Sequence, residues 1–454
     1  MWTSAPAPKP IEVDPVSIIR TIDARDPAQV EALAQVLARS TTLAPAVEAR
    51  VAEIIQAVAE RGDAALLEYT EHLDGFKVRT ATELEISREE MAAAADGLAP
   101  DLRAALELSV ARVRDFHERQ REQSWEMTDA HGNRLGQLVR PLHRVAIYCP
   151  GGKAAYPSSV VMNAVPAKVA GVPEVVMLVP TPGGERNRLV LAAAHLAGVD
   201  RGFAIGGAQA VAAAAYGTET VPAVDKVTGP GNIYVATAKK QLFGQIDIDM
   251  VAGPSEVLII ADGAADPEYI AADLLSQAEH DELAAAVLVT DSPALIDATR
   301  AALASQLADL SRGAIATASL RDYGALVRVA SLEAACELAE RFAPEHLEVL
   351  TAHPRQWLDR LTNAGAIFLG PYSSEPLGDY LAGPNHVLPT GGSARFFSPL
   401  GVADFVKRTS LLEISARGLQ ALAGATIRFA EEEGLTAHAR AVALRAMRLE
   451  GGLP

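Results

Sequence analysis

Short β-branched runs alternating with alanine-rich stretches constrain this chain more than any other feature. From Arg144 onward "RVAIYCP", "EVVMLVP" and "RGFAIGG" stand apart from one another, the last followed by "AQAVAAAAYG". Such alternation predicts βαβ units with right-handed crossovers and a parallel sheet. A second set follows in "EVLIIAD", "AAAVLVT", "HLEVLT" and "GAIFLG", with helices beginning near Pro267, Pro293 and Ser331. Asp266 then Pro267 reads as an N-cap acid with proline at the first helical position. The helix begun there is expected to reach His280.

The two sets predict a pair of α/β domains. From Pro45 to about Met127 apolar residues recur three and four apart, so this part reads as mostly helical, with Gly75 and Pro100 as breaks. From about Ser393 the chain reads as helices with little strand character, too small to bury their apolar faces alone. They must dock on another domain or another subunit. "MWTSAPAPKPIEVDP" lacks a basic flank followed by an apolar core and reads as a proline-rich tail rather than a secretory signal. The most apolar long window, "SSVVMNAVPAKVAGVPEVVMLVP", is interrupted by Lys168, Glu174 and prolines, so it reads as helix then strand rather than a membrane span.

With 57 acidic against 40 basic residues the net charge is −17, which disfavours nucleic acid or an anionic membrane as the main partner. The two cysteines, Cys149 and Cys336, lie far apart without a CxxC pattern, so neither a disulfide framework nor a thiolate metal site is expected. A reducing, cytoplasmic setting fits that usage.

The ten histidines are sorted by context. His72, His117 and His195 fall inside helical patterns, and His131 and His353 beside turn residues, where solvated or capping roles are expected. In "LLSQAEHDE", Gln277 and His280 are three apart, so on a helix the amide oxygen and a ring nitrogen converge on one point. Glu345 and His346 in "APEHLEVL" stand together at the entry to a strand and offer two proton acceptors of different basicity. Asp379 lies in the Gly/Pro-rich "SSEPLGDYLAGPNH", which also holds His386, after the "GAIFLG" strand; loops at the carboxyl ends of parallel strands are where open sheets bind ligands. His438 follows Glu433 by five residues in "EEEGLTAHARAV". Gln277, His280, Asp379 and His438 together would offer two imidazoles, a carboxylate and an amide oxygen, a set that suits zinc, and also manganese or cobalt. "GPGN" at Gly229–Asn232 and "IGGAQA" at Ile205–Ala210 are tight turns before helices, whose backbone amides can receive phosphate. No GxGxxG stands between a strand and a helix, so no dinucleotide fingerprint is present.

Together these motifs resemble the histidinol dehydrogenase family. The resemblance is strongest from "DMVAGPSEVLIIAD" through "DLLSQAEHD". It continues through "APEHLE", "NAGAIFLG", "GDYLAGPNHVLPTGGSARF" and "GLTAHA", and upstream through "YCPGG", "GGAQA" and "DKVTGPGN", covering nearly everything from Arg144 to the C-terminus. The resemblance implies an NAD-linked enzyme with one Zn2+ per subunit that oxidises L-histidinol to L-histidine through the aldehyde, the last two steps of histidine biosynthesis. It implies Gln277, His280, Asp379 and His438 as metal ligands and Glu345 and His346 as proton acceptors. Ser255 and Glu433, with His346 and the ligands, are implied as substrate contacts, and Tyr148, Gln209 and Asn232 as NAD contacts. The implied fold is α/β, with two incomplete, doubly wound Rossmann-like domains, a helical N-terminal part and a helical C-terminal tail docked on the partner of a homodimer. The corresponding boundaries are a tail over 1–25, a first domain over 26–143 plus 254–392, a second over 144–253 and a dimerisation segment over 393–454.

Two other readings fit the same residues. A zinc hydrolase would use the ligands and Glu345 to activate water without nicotinamide. A binding protein with two α/β domains around a cleft is the other, and the lack of a signal peptide counts against it.

Overall fold

The computed structural model describes residues 18–26, 29, 45–151 and 156–451. Two six-stranded sheets organise the chain. One is parallel throughout, in the order Arg20–Asp23, Ala325–Arg328, Ala285–Thr290, Glu256–Ala261, His346–Leu350 and Ala366–Leu369. Its central strands are buried from end to end, which is why they read as unbroken apolar runs rather than alternating ones. The order reverses direction between Glu256–Ala261 and His346–Leu350, the arrangement of a doubly wound domain.

The second sheet runs Glu85–Ile86, Arg201–Phe203, Glu174–Leu178, Arg144–Tyr148, Lys226–Thr228 and Asp247–Ile248, parallel except for its first strand. Here the reversal falls between Arg144–Tyr148 and Lys226–Thr228. The helices Pro267–Ala278, Pro293–Leu307 and Leu332–Phe342 start where expected, Asp266 accepting from the Glu268 N–H and Ser331 from Ala334. Both cysteines are buried and free. No helix among the described residues is long and apolar enough to cross a membrane.

Four expectations are corrected. The helices Pro45–Arg61, Asp63–Asp74, Arg88–Asp96 and Pro100–Glu118, expected in one domain with residues 254–392, pack on the other sheet: Val51, Ile54 and Leu66 share a core with Tyr148 and Phe203, and Met91 and Val113 share one with Val145 and Met177. Amphipathic periodicity shows that a helix has an apolar face, not which sheet receives it. Secondly, the tail expected over 1–25 ends earlier, since Arg20–Asp23 is an edge strand paired with Ala325–Arg328; residues 1–17 lie outside the described residues. Thirdly, the C-terminal segment contains a strand, Val406–Glu413, which joins Arg134–Pro141 and Trp125–Thr128 in a three-stranded antiparallel sheet. Its partner is more than 250 residues away, so nothing local announces it. Lastly, the helix begun at Pro267 ends at Ala278, leaving His280 in the turn beyond it.

Candidate active site

Glu345 and His346 sit at the start of the His346–Leu350 strand, where His346 lies opposite Val257 of the neighbouring strand. Both side chains are buried. The His346 Nδ1 is 3.1 Å from the carbonyl oxygen of Glu256. A carbonyl only accepts, so Nδ1 carries the proton and Nε2 keeps the lone pair. Nε2 is itself buried and has no hydrogen-bond partner. Burial, only partly countered by the Asp379 carboxylate, lowers the His346 pKa to about 4 and leaves the ring neutral at physiological pH. The Glu345 carboxyl accepts from the Glu256 N–H at 2.9 Å and from the Ser255 hydroxyl. Burial outweighs these bonds and pushes its pKa well above the usual carboxylate range. The pair therefore holds a neutral imidazole with a free Nε2 beside a carboxyl whose proton affinity is raised by burial, two proton-accepting groups of different basicity.

The donor atoms of His280, Glu375 and Asp379 lie within 4.8 Å of one another. Glu375 and Asp379 are one turn apart on the short helix Glu375–Tyr380, and the helix ending at Ala278 brings in His280. Gln277, in its last turn, is fully buried, and neither its amide oxygen nor its nitrogen has a partner. Leaving such a group unpaired costs about 1–3 kcal/mol, which a bound group would relieve. Two carboxylates and an imidazole with no thiolate form an N/O set that fits zinc, manganese or cobalt, and Gln277, three residues before His280, would add an amide oxygen. Glu375 was missed by sequence reasoning; the available signal was its i,i+4 spacing from Asp379. His386 points its Nδ1 at the Asp379 backbone carbonyl, 3.1 Å away, and stands 3.7 Å from the Oδ1.

A buried acid pair supports this cluster. Asp273 and Glu348 share a hydrogen bond, and burial raises both pKa values, that of Asp273 to about 6, so one proton is held between them. Glu348 in turn accepts from the Glu375 backbone N–H at 3.2 Å, anchoring the first residue of the helix that carries Glu375 and Asp379.

The site faces the amino-terminal ends of its strands: Ser255, Glu345 and the end of the Pro267–Ala278 helix all lie there. That overturns the expectation that Asp379 marks a pocket at the carboxyl ends. The Glu375–Tyr380 helix follows such an end but carries its acids back toward the opposite edge. A cavity of about 1040 Å³ opens beside His346, Asp379 and His386, with Phe368, Phe396 and Phe397 on its walls. His117, expected to be solvated or capping, is instead buried, its Nδ1 2.7 Å from the Val113 carbonyl and its Nε2 3.4 Å from the Asn385 Nδ2, next to His386.

The residues implied for NAD fall on the other sheet, at the carboxyl ends of its strands. Tyr148 ends Arg144–Tyr148 and Asn232 follows Lys226–Thr228, so the two flank the point where strand order reverses, the usual cofactor crevice of such sheets. The Tyr148 hydroxyl accepts from the Gly207 N–H at 3.0 Å. Gln209 is buried with both amide atoms unpartnered. The Asn232 side-chain oxygen caps the following helix, accepting from Tyr234 and Val235.

Glu433 and His438 are not brought to this site within one chain. Both are exposed on the hairpin of helices Ala416–Glu432 and Thr436–Glu450, and His438 is absent from the His280 cluster. The hairpin buries little beyond Gly418, Ala423, Ala430 and Ala439 and exposes Leu422, Phe429, Leu435, Leu444 and Met447.

The family profile described as histidinol dehydrogenase matches residues 37–446. Histidinol dehydrogenase of Cupriavidus pinatubonensis is 54% identical over 441 residues, spanning 96% of this chain and 99% of that protein. That of Syntrophotalea carbinolica is 58% identical over 414 residues, 91% of this chain and 96% of its own. Among solved structures, histidinol dehydrogenase from Elizabethkingia anophelis superposes with a TM-score of 0.89 at 32% identity, covering 96% of this chain and 99% of that one.

Proposed function

The chain belongs to the histidinol dehydrogenase family, and from that premise we propose that it oxidises L-histidinol to L-histidine through the aldehyde, with NAD as hydride acceptor and one zinc ion per subunit. These would be the last two steps of histidine biosynthesis. The observation that carries the reading is the neutral, buried His346 with an unpartnered Nε2, beside the convergent donors of His280, Glu375 and Asp379.

Gln277, His280 and Asp379 would hold the metal, with Glu375 beside them and His438 reaching in across a homodimer. Bound there, zinc supplies a fixed template for a substrate whose imidazole and amine can chelate it. NAD, held near Tyr148, Gln209 and Asn232, supplies the hydride acceptor for each oxidation. In the first, His346 Nε2 takes the hydroxyl proton as the carbon-bound hydrogen leaves as hydride. In the second, Glu345 takes a proton from the water that adds to the aldehyde, and the resulting hydrate loses its hydride in the same geometry. Ser255 orients the Glu345 carboxyl, and Glu433 is assigned to the substrate's polar groups, also across the dimer. The exposed apolar side chains of the C-terminal hairpin support a homodimer, and two free, buried cysteines suit a cytoplasmic setting.

The test is stoichiometric. Purified protein with histidinol and NAD should form two NADH per histidine, and formation of none would overturn the reading.

A further inference from the structure

Beneath the Gly229–Asn232 turn lies a buried ion pair that no step above uses. Lys239, 2% exposed, and Asp249, 8% exposed, are in direct contact. Both hold the backbone of Gly229, one through its carbonyl and the other through its N–H. The Lys239 Nζ donates to the Gly229 carbonyl at 3.0 Å, and the Gly229 N–H donates to the Asp249 Oδ2 at 2.7 Å. The other Asp249 oxygen accepts from its neighbour Met250 at 2.7 Å. Gly229 has a φ of +105°, and a Cβ there would collide with the Tyr148 carbonyl oxygen, so the turn is held against the end of the adjacent strand in a conformation only glycine accepts.

Burying an ion pair rarely stabilises a fold more than an apolar pair of the same shape would. Its better-attested use is to impose one geometry, and here the geometry imposed is local. The pair clamps Gly229 on both sides, which sets where the turn begins. Three residues on, Asn232 caps the ten-residue helix Ile233–Leu242, and Lys239 lies on that same helix. Turn, helix start and strand end are thereby tied into one unit at the point where the strand order of this sheet reverses. Asp249 also stands at the exit of the sheet, where the chain leaves toward Gly253, whose N–H donates to the Thr390 hydroxyl at 2.6 Å, and then Ser255.

We propose that Lys239 and Asp249 are positioning residues for the cofactor: their ion pair sets the Gly229–Asn232 turn in the form that receives NAD. The inference rests on the NAD-linked reading above and adds two residues to it. Both act through the backbone N–H and carbonyl of Gly229 and, beyond it, Asn232, rather than by touching the cofactor.

Two variants and one measurement on the unaltered protein test this. Lys239→Met removes the donor to the Gly229 carbonyl but leaves a buried carboxylate unpaired, so its fold is at risk. Lys239→Met with Asp249→Asn removes both charges and relieves that penalty. In the folded metal-loaded double variant the KM for NAD should rise at least tenfold, while the KM for histidinol and the metal content stay within twofold. An unchanged KM for NAD, or an equal rise in both KM values, would overturn the proposal. In the unaltered protein, NAD should slow amide hydrogen exchange across residues 229–235, and no protection there at saturating NAD overturns it even if neither variant folds. Wild-type protein that forms no NADH from histidinol would instead sink the functional reading itself, a result visible before any variant is made.

Discussion

The Nδ1 of His346 is 3.1 Å from the carbonyl oxygen of Glu256, a contact that dictates which ring nitrogen is free to act. With Nδ1–H spent on that carbonyl, Nε2 is the base. His346→Gln should lower kcat by about 10²- to 10⁴-fold, the range for a positioned acid-base group, while metal content is retained. Steady-state rates alongside metal analysis check it; loss of metal with the imidazole would assign His346 to ligation instead.

Glu345 should separate the two half-reactions. Glu345→Gln keeps size and one acceptor oxygen toward the Glu256 N–H but cannot take a proton. Oxidation of added histidinal should fall by at least about 10²-fold, and oxidation of histidinol to the aldehyde much less. Single-turnover measurements from each substrate compare them, and equal damage to both steps would refute the division of labour.

His346 also predicts a pH dependence of stability. Its pKa is about 4 in the folded chain against 6.5 unfolded, so between those values the unfolded state binds more protons and stability falls as pH falls. From pH 7.5 to 5.5 this one group should cost metal-free protein about 1.4 kcal/mol. Urea melts of wild type and His346→Gln at both pH values should differ by about that amount, and identical pH slopes would mean the ring is not held neutral.

Metal removal should abolish turnover and zinc should restore it. His280→Ala should lose metal affinity by more than tenfold, and Glu375→Gln, whose carboxyl stands in the same cluster, should also weaken it. Competition with a chromophoric chelator measures both. Full turnover in verified metal-free protein would remove the assignment.

His438 should act across a dimer. If His280→Ala and His438→Ala chains are unfolded and refolded together, a hybrid dimer with exchanged tails has one site with both lesions and one with neither, so activity should return. Hybrids confirmed by mass spectrometry yet inactive would place His438 in its own chain's site.

The local pattern of the sequence determined the strands of "RVAIYCP" and "EVLIIAD", the helix start at Asp266–Pro267, and the adjacency of Glu345 and His346, because period, capping and turn chemistry are properties of neighbouring residues. Tertiary structure alone decided which sheet receives the helices of residues 45–118, that Val406–Glu413 is a strand, that Glu375 joins His280, and that Lys239 meets Asp249. Each of those is a pairing between residues distant along the chain. It also decided chemistry: His346 and Glu345 have ordinary side chains in any unfolded chain, and only burial beside Glu256 fixes one as a neutral base and raises the other. Desolvation is the physical reason, since it depends on everything packed around a group and leaves no mark on the residues next to it in sequence.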